Sequence, residues 1–321
     1  MLHAYRLEGQ RLERLAPDAP LAEAIWIDLY RPQPEQSARA AAELGIEVPT
    51  LADMEEIEIS NRLYRENGAD VMTVVLPGAR PDGAQVSGPV TFILLSQQVV
   101  TVRHHAPRPF ETFPARADRS STGCSTHLRL FVGLVEEIVA RQADLLEAAG
   151  RALDAIAARV YAGGRRVLTA AELEEALRSA GREGEVLARV RLGLLGIERM
   201  MSVFSLWYAE RAEAKAIRGH VKSLMRDIQA LEVHVDFLSG RVGLATDTTL
   251  GLVNLSQNQT VRIVSVVAVL FLPPTLIGTV YGMNFDRMPE LRWIWGYPMA
   301  LVLMVLSAVL TWAYFRWRGW L

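Results

Sequence analysis

The chain has 321 residues, half of them hydrophobic, and its 34 basic and 36 acidic side chains give a net charge of −2. That length supports one substantial soluble domain plus further elements, and without a basic excess nucleic acid is not an expected partner. Cys124 is the one cysteine, so no internal disulfide forms and a reducing compartment fits. The opening residues 1–6 hold no apolar secretory core.

In chain order, residues 1–120 read as a mixed α/β domain. Strands are expected over 2–7 and 24–29, and a hairpin joins 62–64 to 71–76 through Asn67-Gly68. A further pair covers 91–95 and 99–102, an Ala-rich helix fills 35–44, and Pro81-Asp82-Gly83 and Ser87-Gly88-Pro89 bracket a loop. Two clusters invite metal chemistry. Asp53, Glu55, Glu56 and Glu58 lie close in sequence, but neighbouring acids on a short helix favour a solvated face unless another copy of the chain supplies ligands. His104-His105 lacks companions at zinc-ligand spacing and reads as a strand end.

Residues 121–231 turn helical. Apolar side chains recur at three- and four-residue steps from 126 to 161, Gly163-Gly164 breaks the pattern, and Thr169-Ala170-Ala171-Glu172 is a capping box. Another helix is expected over 183–211, and the Ala, Glu, Arg and Leu usage suits long antiparallel helices. No phosphate loop, nucleophile elbow or His-Glu-x-x-His motif occurs, so an enzyme is not expected.

From 232 to 281 the helical pattern is continuous, which at 1.5 Å per residue gives ~73 Å, far more than a bilayer needs. Part of it is therefore a stalk and part a span. Steps of four and three from Asp247 collect Gly251, Asn254, Asn258, Val261, Ser265, Ala268, Leu272, Thr275 and Thr279 on one face. Leu272 is the one bulky member within the apolar stretch. Such a face suits either a lumen or close helix packing through small residues. Uncharged runs of 23 residues, 263–285 and 293–315, flank a loop over 282–292, and each is long enough to cross a bilayer. Arg262 precedes the first run and Arg316 and Arg318 follow the second, in a basic tail over 316–321. Both termini are therefore expected in the cytoplasm and the loop outside the inner membrane. Setting aside residues 261–321, with five Arg against Asp286 and Glu290, leaves residues 1–260 at −5. The fold class expected is an α+β cytosolic domain with long helices, followed by a two-helix transmembrane hairpin whose first span continues the stalk.

The first span ends in Tyr281-Gly282-Met283-Asn284, followed by Met288-Pro289-Glu290-Leu291, Trp293 and Gly296-Tyr297-Pro298. With Phe271-Leu272-Pro273-Pro274-Thr275 upstream and Trp320-Leu321 at the end, this closely resembles the CorA family of magnesium channels over the whole layout. The resemblance implies a homopentamer in the lipid bilayer, with Gly282, Met283 and Asn284 at an outer selectivity site. It places Asn258, Leu272 and Thr275 along the pore, with Leu272 at a constriction. Some members carry a larger residue where this chain has Val261 or Val264. It also implies Mg²⁺ as cargo and cytosolic regulator, with Co²⁺ or Ni²⁺ as further ions and no organic cofactor. Regulatory acids then lie between adjacent copies, with Asp227, Asp247, Glu55 and Glu56 as candidates. The residues suit the ion. Mg²⁺ keeps its water reluctantly, so neutral Asn284 amides that hold first-shell water let it leave again. Met283, a soft thioether, is read as packing. Asp286 and Glu290 gather cations at the entrance, offset by Arg287 and Arg292. Two other readings stand beside this one: a ZntB-type zinc transporter, against which Met283 counts, and a membrane-anchored helical scaffold without transport.

Overall fold

The computed structural model describes residues 1–56, 58, 62–161, 168–283 and 293–319. It divides into two units, Met1–Val167 with Glu175–Thr246, and Leu168–Glu174 with Asp247–Leu321.

Among its described residues the first unit has seven strands: β1 (Leu2–Glu8), β2 (Arg11–Arg14), β3 (Trp26–Tyr30), β4 (Leu63–Glu66), β5 (Ala69–Ala79), β6 (Gln85–Leu94) and β7 (Val99–Arg103). Their order is β2-β1-β3-β7-β6-β5-β4, antiparallel throughout except for the parallel pair β3–β7. Both central strands are buried on both faces, as their near-continuous Val, Ile and Leu content requires. Asp28 and Arg103 interrupt that run and pair with each other at 2.9 Å. Thr101 Oγ1 donates to Asp28, Trp26 Nε1 donates to Thr101, and the guanidinium stacks over Tyr30. A buried ion pair is tolerated only when its remaining donors and acceptors are met in this way.

The hairpin at Asn67-Gly68 forms as expected, with both residues at positive φ (51° and 79°). The loop expected around Ser87-Gly88-Pro89 is instead strand. Residues 85–89 pair with β5 alone, so Pro89 occupies an edge where its missing N–H costs no ladder bond. Gly88 and Gly78 flank the ring of His105, and a Cβ at either would lie 2.8 Å or 2.7 Å from it. Only glycine fits that close approach.

Helix α1 (Pro34–Leu44) starts with a Gln33/Gln36 capping box and stops at Gly45, φ 66°. Helix α2 (Leu51–Glu55) is capped by Thr50 and Asp53. After the short α3 (Pro109–Thr112) come three long helices, α4 (His127–Tyr161), α5 (Ala170–Trp207) and α6 (Ala212–Tyr281), then α7 (Gly296–Trp317). Helix α5 begins at the capping box, where Glu172 accepts from Thr169 N and returns its own N–H to Thr169 Oγ1. It runs through Gly181 and Gly184 rather than starting at 183. Helix α6 starts at Ala212 rather than 232, because nothing between them breaks a helix. Within the first unit, α5 crosses β5 closely at Gly193 and Gly196, over Val75 and Val74. An aromatic series, Phe92–Phe131–Phe204–Tyr208 with centroids 5.6, 5.1 and 4.8 Å apart, ties sheet to helices.

Candidate pore-lining site

Among the described residues two helices, α6 and α7, contain stretches long and apolar enough to cross a membrane. In the second unit they pack on each other through a defined face of α6. Val266 is buried there, and Leu270, Pro273, Ile277, Gly278 and Tyr281 are half-buried. Successive residues of an α-helix are about 100° apart. On that wheel the stripe Val261, Ser265, Ala268, Leu272, Thr275 and Thr279 lies on nearly the opposite side. All six are exposed, Leu272 by 65% and Val261 by 64%. Asp247, Gly251, Asn254 and Asn258, further back on the helix, are exposed too. The hairpin leaves this face exposed, together with the flanking Ile263, Val264, Phe271 and Leu276.

Thr275 and Thr279 are satisfied without losing their outward acceptors. Thr275 Oγ1 donates to Phe271 O at 2.7 Å, and Thr279 Oγ1 to Thr275 O at 2.8 Å. Each hydroxyl oxygen keeps lone pairs for water on the open side. Helix α6 continues through Pro273-Pro274, which cannot donate to the carbonyls of Val269 and Leu270. At its end Gly282 N–H bonds Gly278 O at 2.9 Å and Met283 N–H bonds Val280 O at 3.3 Å, so the last turn tightens. Asn284, Asp286 and Glu290 lie outside the described residues.

Glu55, Glu56, Asp227 and Asp247 are exposed. Among the described residues, no three His, Cys, Asp or Glu side chains gather to hold a metal ion. Asp53 is engaged in capping: Thr50 N and Oγ1 donate to it at 2.8 and 2.7 Å, and these bonds hold its carboxyl below its usual pKa. His105 is a core residue. Its Nε2–H donates to Leu76 O at 2.9 Å, and burial pulls its pKa down to about 4. His104 is also lowered by burial.

Three features escaped the sequence reading. The Asp28–Arg103 pair depends on β3 and β7 becoming neighbours, and Gly278 touches Met304 of α7. In the first unit a cavity of about 750 Å³ is lined in part by Glu23, Gln97, Ser125, His127 and Glu213. There His127 Nδ1 lies 4.0 Å from Glu213 Oε1. None of these contacts has a local sequence signal.

A sheet-based soluble unit, a long helix running into an apolar span, and a second span that leaves a polar face uncovered define a two-span membrane transport protein. Residues 22–317 match the family described as CorA-like Mg²⁺ transporter protein, and the chain belongs to that family. It is 31% identical over 327 residues to the magnesium transport protein CorA of Escherichia coli strain K12, covering all of both chains. It is likewise 31% identical over 324 residues to that of Pectobacterium atrosepticum, again covering both fully. The CorA magnesium transporter structure from Methanocaldococcus jannaschii shares its fold, with TM-score 0.77 and 18% identity over 100% of this chain and 99% of that one. The ZntB cytoplasmic domain from Vibrio parahaemolyticus is a more distant likeness, with TM-score 0.55 and 11% identity over 78% of this chain and 96% of that domain. The family is one of transporters, not enzymes.

Proposed function

We propose that the chain assembles as a homopentameric channel that admits Mg²⁺ through the inner membrane, with both termini in the cytoplasm. The observation that carries this reading is the bare stripe on α6, opposite its α7 contact and leading to Gly282-Met283. One hairpin encloses nothing, so several copies must bring their stripes to a common axis. Self-association is supported on the soluble side, where Val233, Phe237 and Leu244 of α6 are 71%, 60% and 61% exposed at helical spacing.

In this arrangement a ring of Asn284 amides, backed by Gly282 carbonyls, holds the waters of the hydrated ion rather than the ion itself. Asp286 and Glu290 raise the cation concentration at the mouth. Leu272 narrows the path below, where an apolar ring gates by dewetting. Asn258, Val261, Ser265, Ala268, Thr275 and Thr279 line the remainder. Co²⁺ and Ni²⁺ pass as divalent ions of similar hydration. Cytosolic Mg²⁺ closes the channel through carboxylates between copies, among them Asp227, Asp247, Glu55 and Glu56. Full-length identity to magnesium transport proteins favours this over the zinc reading, since the ZntB likeness is confined to fold.

The test is ion uptake by purified protein in liposomes, with Mg²⁺, Co²⁺ and Zn²⁺ offered separately and in competition. Mg²⁺ uptake down its gradient, without a coupled energy source, is the expected result. Preference for Zn²⁺ would favour the zinc transporter, and absence of any flux would leave a scaffold.

A further inference from the structure

We infer that Gly278 of α6 and Met304 of α7 are positioning residues for the start of the signature motif. The inference rests on the channel reading above and extends it to the second span, which that reading leaves without a role in selectivity.

The α7 face that meets α6 carries small or inward residues at helical spacing: Gly296 and Ala300 are buried, Thr311 is half-buried, and Phe315 is buried near its end. Met304 is the long side chain in the middle of that row, and it lies against a position without a side chain. A Cβ placed on Gly278 would be 3.2 Å from Met304 Cε. In a bilayer no hydrophobic force drives two spans together, so close packing of this kind fixes their separation and register. The same Gly278 also holds the motif. Its carbonyl accepts the N–H of Gly282 at 2.9 Å, and a Cβ on Gly282 would crowd that oxygen at 3.1 Å. One residue thus receives α7 on one side and ties down the last turn before Met283 on the other. Displacement at Gly278 is transmitted to Gly282 through a single hydrogen bond.

The chemistry of the contact grades the outcome of substitution. Met has three rotatable bonds, and its terminal methyl can yield by a few tenths of an ångström. Gly278→Ala therefore keeps Mg²⁺ flux within about twofold. Val is branched at Cβ and stiff, so its methyls cannot avoid Met304. Gly278→Val is expected to lower Mg²⁺ flux at least fivefold and to change the Co²⁺-to-Mg²⁺ preference, with the assembled fraction on size exclusion unchanged. Truncating the opposing side chain, in Gly278→Val with Met304→Ala, should restore flux to within about threefold. Met304→Ala alone should assemble yet shift the ion preference, because the last turn of α6 loses its support.

All four variants are measured in liposomes beside Asn284→Ala. Wild-type flux and preference in Gly278→Val overturns the inference, as does a defect that Met304→Ala leaves unrelieved. Should Gly278→Val fail to assemble, an unchanged preference in Met304→Ala overturns it instead. Absence of flux from the unsubstituted protein would sink the channel reading itself, whereas wild-type flux that is lost in Asn284→Ala, with normal behaviour at positions 278 and 304, sinks only this inference.

Discussion

Asn284 illustrates how much one neutral side chain is asked to do. A carboxylate there would bind Mg²⁺ more tightly and slow its exit, while an amide oxygen orders first-shell water at modest strength. Asn284→Ala is expected to cut Mg²⁺ uptake at least tenfold with assembly intact, measured as fluorescent-indicator signal in liposomes. Normal uptake by an assembled variant would remove Asn284 from the selectivity site. Leu272 is the complementary case. It is the bulky side chain on an otherwise small span face and is 65% exposed in the isolated chain. Leu272→Ser should raise flux several-fold at high internal Mg²⁺, the condition under which the proposed gate closes. An unchanged closed-state leak would refute a constriction there. His105 belongs to stability rather than transport. Its folded pKa of about 4 lies below the 6.5 of a free imidazole, because burial disfavours the charged ring. The unfolded chain therefore takes up the proton first as pH falls. This contribution is complete above 6.5 and is lost between 6.5 and 4, about 1.4 kcal/mol per pH unit and ~3 kcal/mol in all. Thermal unfolding in detergent should show that slope, and His105→Gln should flatten it. A slope that persists unchanged in the variant would assign the effect to another group.

At the scale of single elements, α6 carries most of what the sequence revealed and part of what it hid. The four- and three-residue stepping located a face that the structure leaves exposed from Asp247 to Thr279, because spacing on a regular helix is a local property. The start of α6 at Ala212 was missed, since its first two turns resemble the end of the preceding helical region and only packing of Ile217 and Val221 distinguishes them. Strand β6 was underestimated for a related reason. Ser87-Gly88-Pro89 has turn composition, and His105, distant in sequence, is what requires glycine there. Gly278 could not be read at all without its partner on α7. The face itself is open to direct test. Cysteine at Ser265, Thr275 or Thr279 should react with a charged thiosulfonate at least tenfold faster than cysteine at the buried Val266 or the half-buried Leu270. Equal rates at all five positions would mean that α6 does not line water with this side.

At the scale of the whole molecule, the proposed regulation by Mg²⁺ turns on the distribution of charge. Residues 1–260 carry −5, and the proposed ring of copies would multiply that charge around an axis. Among the described residues neither Asp227 nor Asp247 has an ion-pair partner, and both are exposed. Single carboxylates of this kind bind little on their own, and among the described residues none gathers into a three-ligand group within one chain. Between copies the situation differs, because a divalent cation set between facing carboxylates relieves repulsion that water screens only in part. In the proposed ring, Mg²⁺ that bound the closed, symmetric arrangement better than the loosened one would shift the population toward it by that difference in affinity, and the ion would limit its own influx. At ten times its dissociation constant such an ion stabilises the ring by about 1.4 kcal/mol, or roughly tenfold in the population of opened states. Limited proteolysis of the soluble region should slow by about that factor when millimolar Mg²⁺ is added to the assembled protein. Asp227→Asn or Asp247→Asn should shrink the protection without altering the rate in chelator. Identical cleavage with and without Mg²⁺ would leave the soluble unit as a support for the pore, with closure governed by the membrane helices alone.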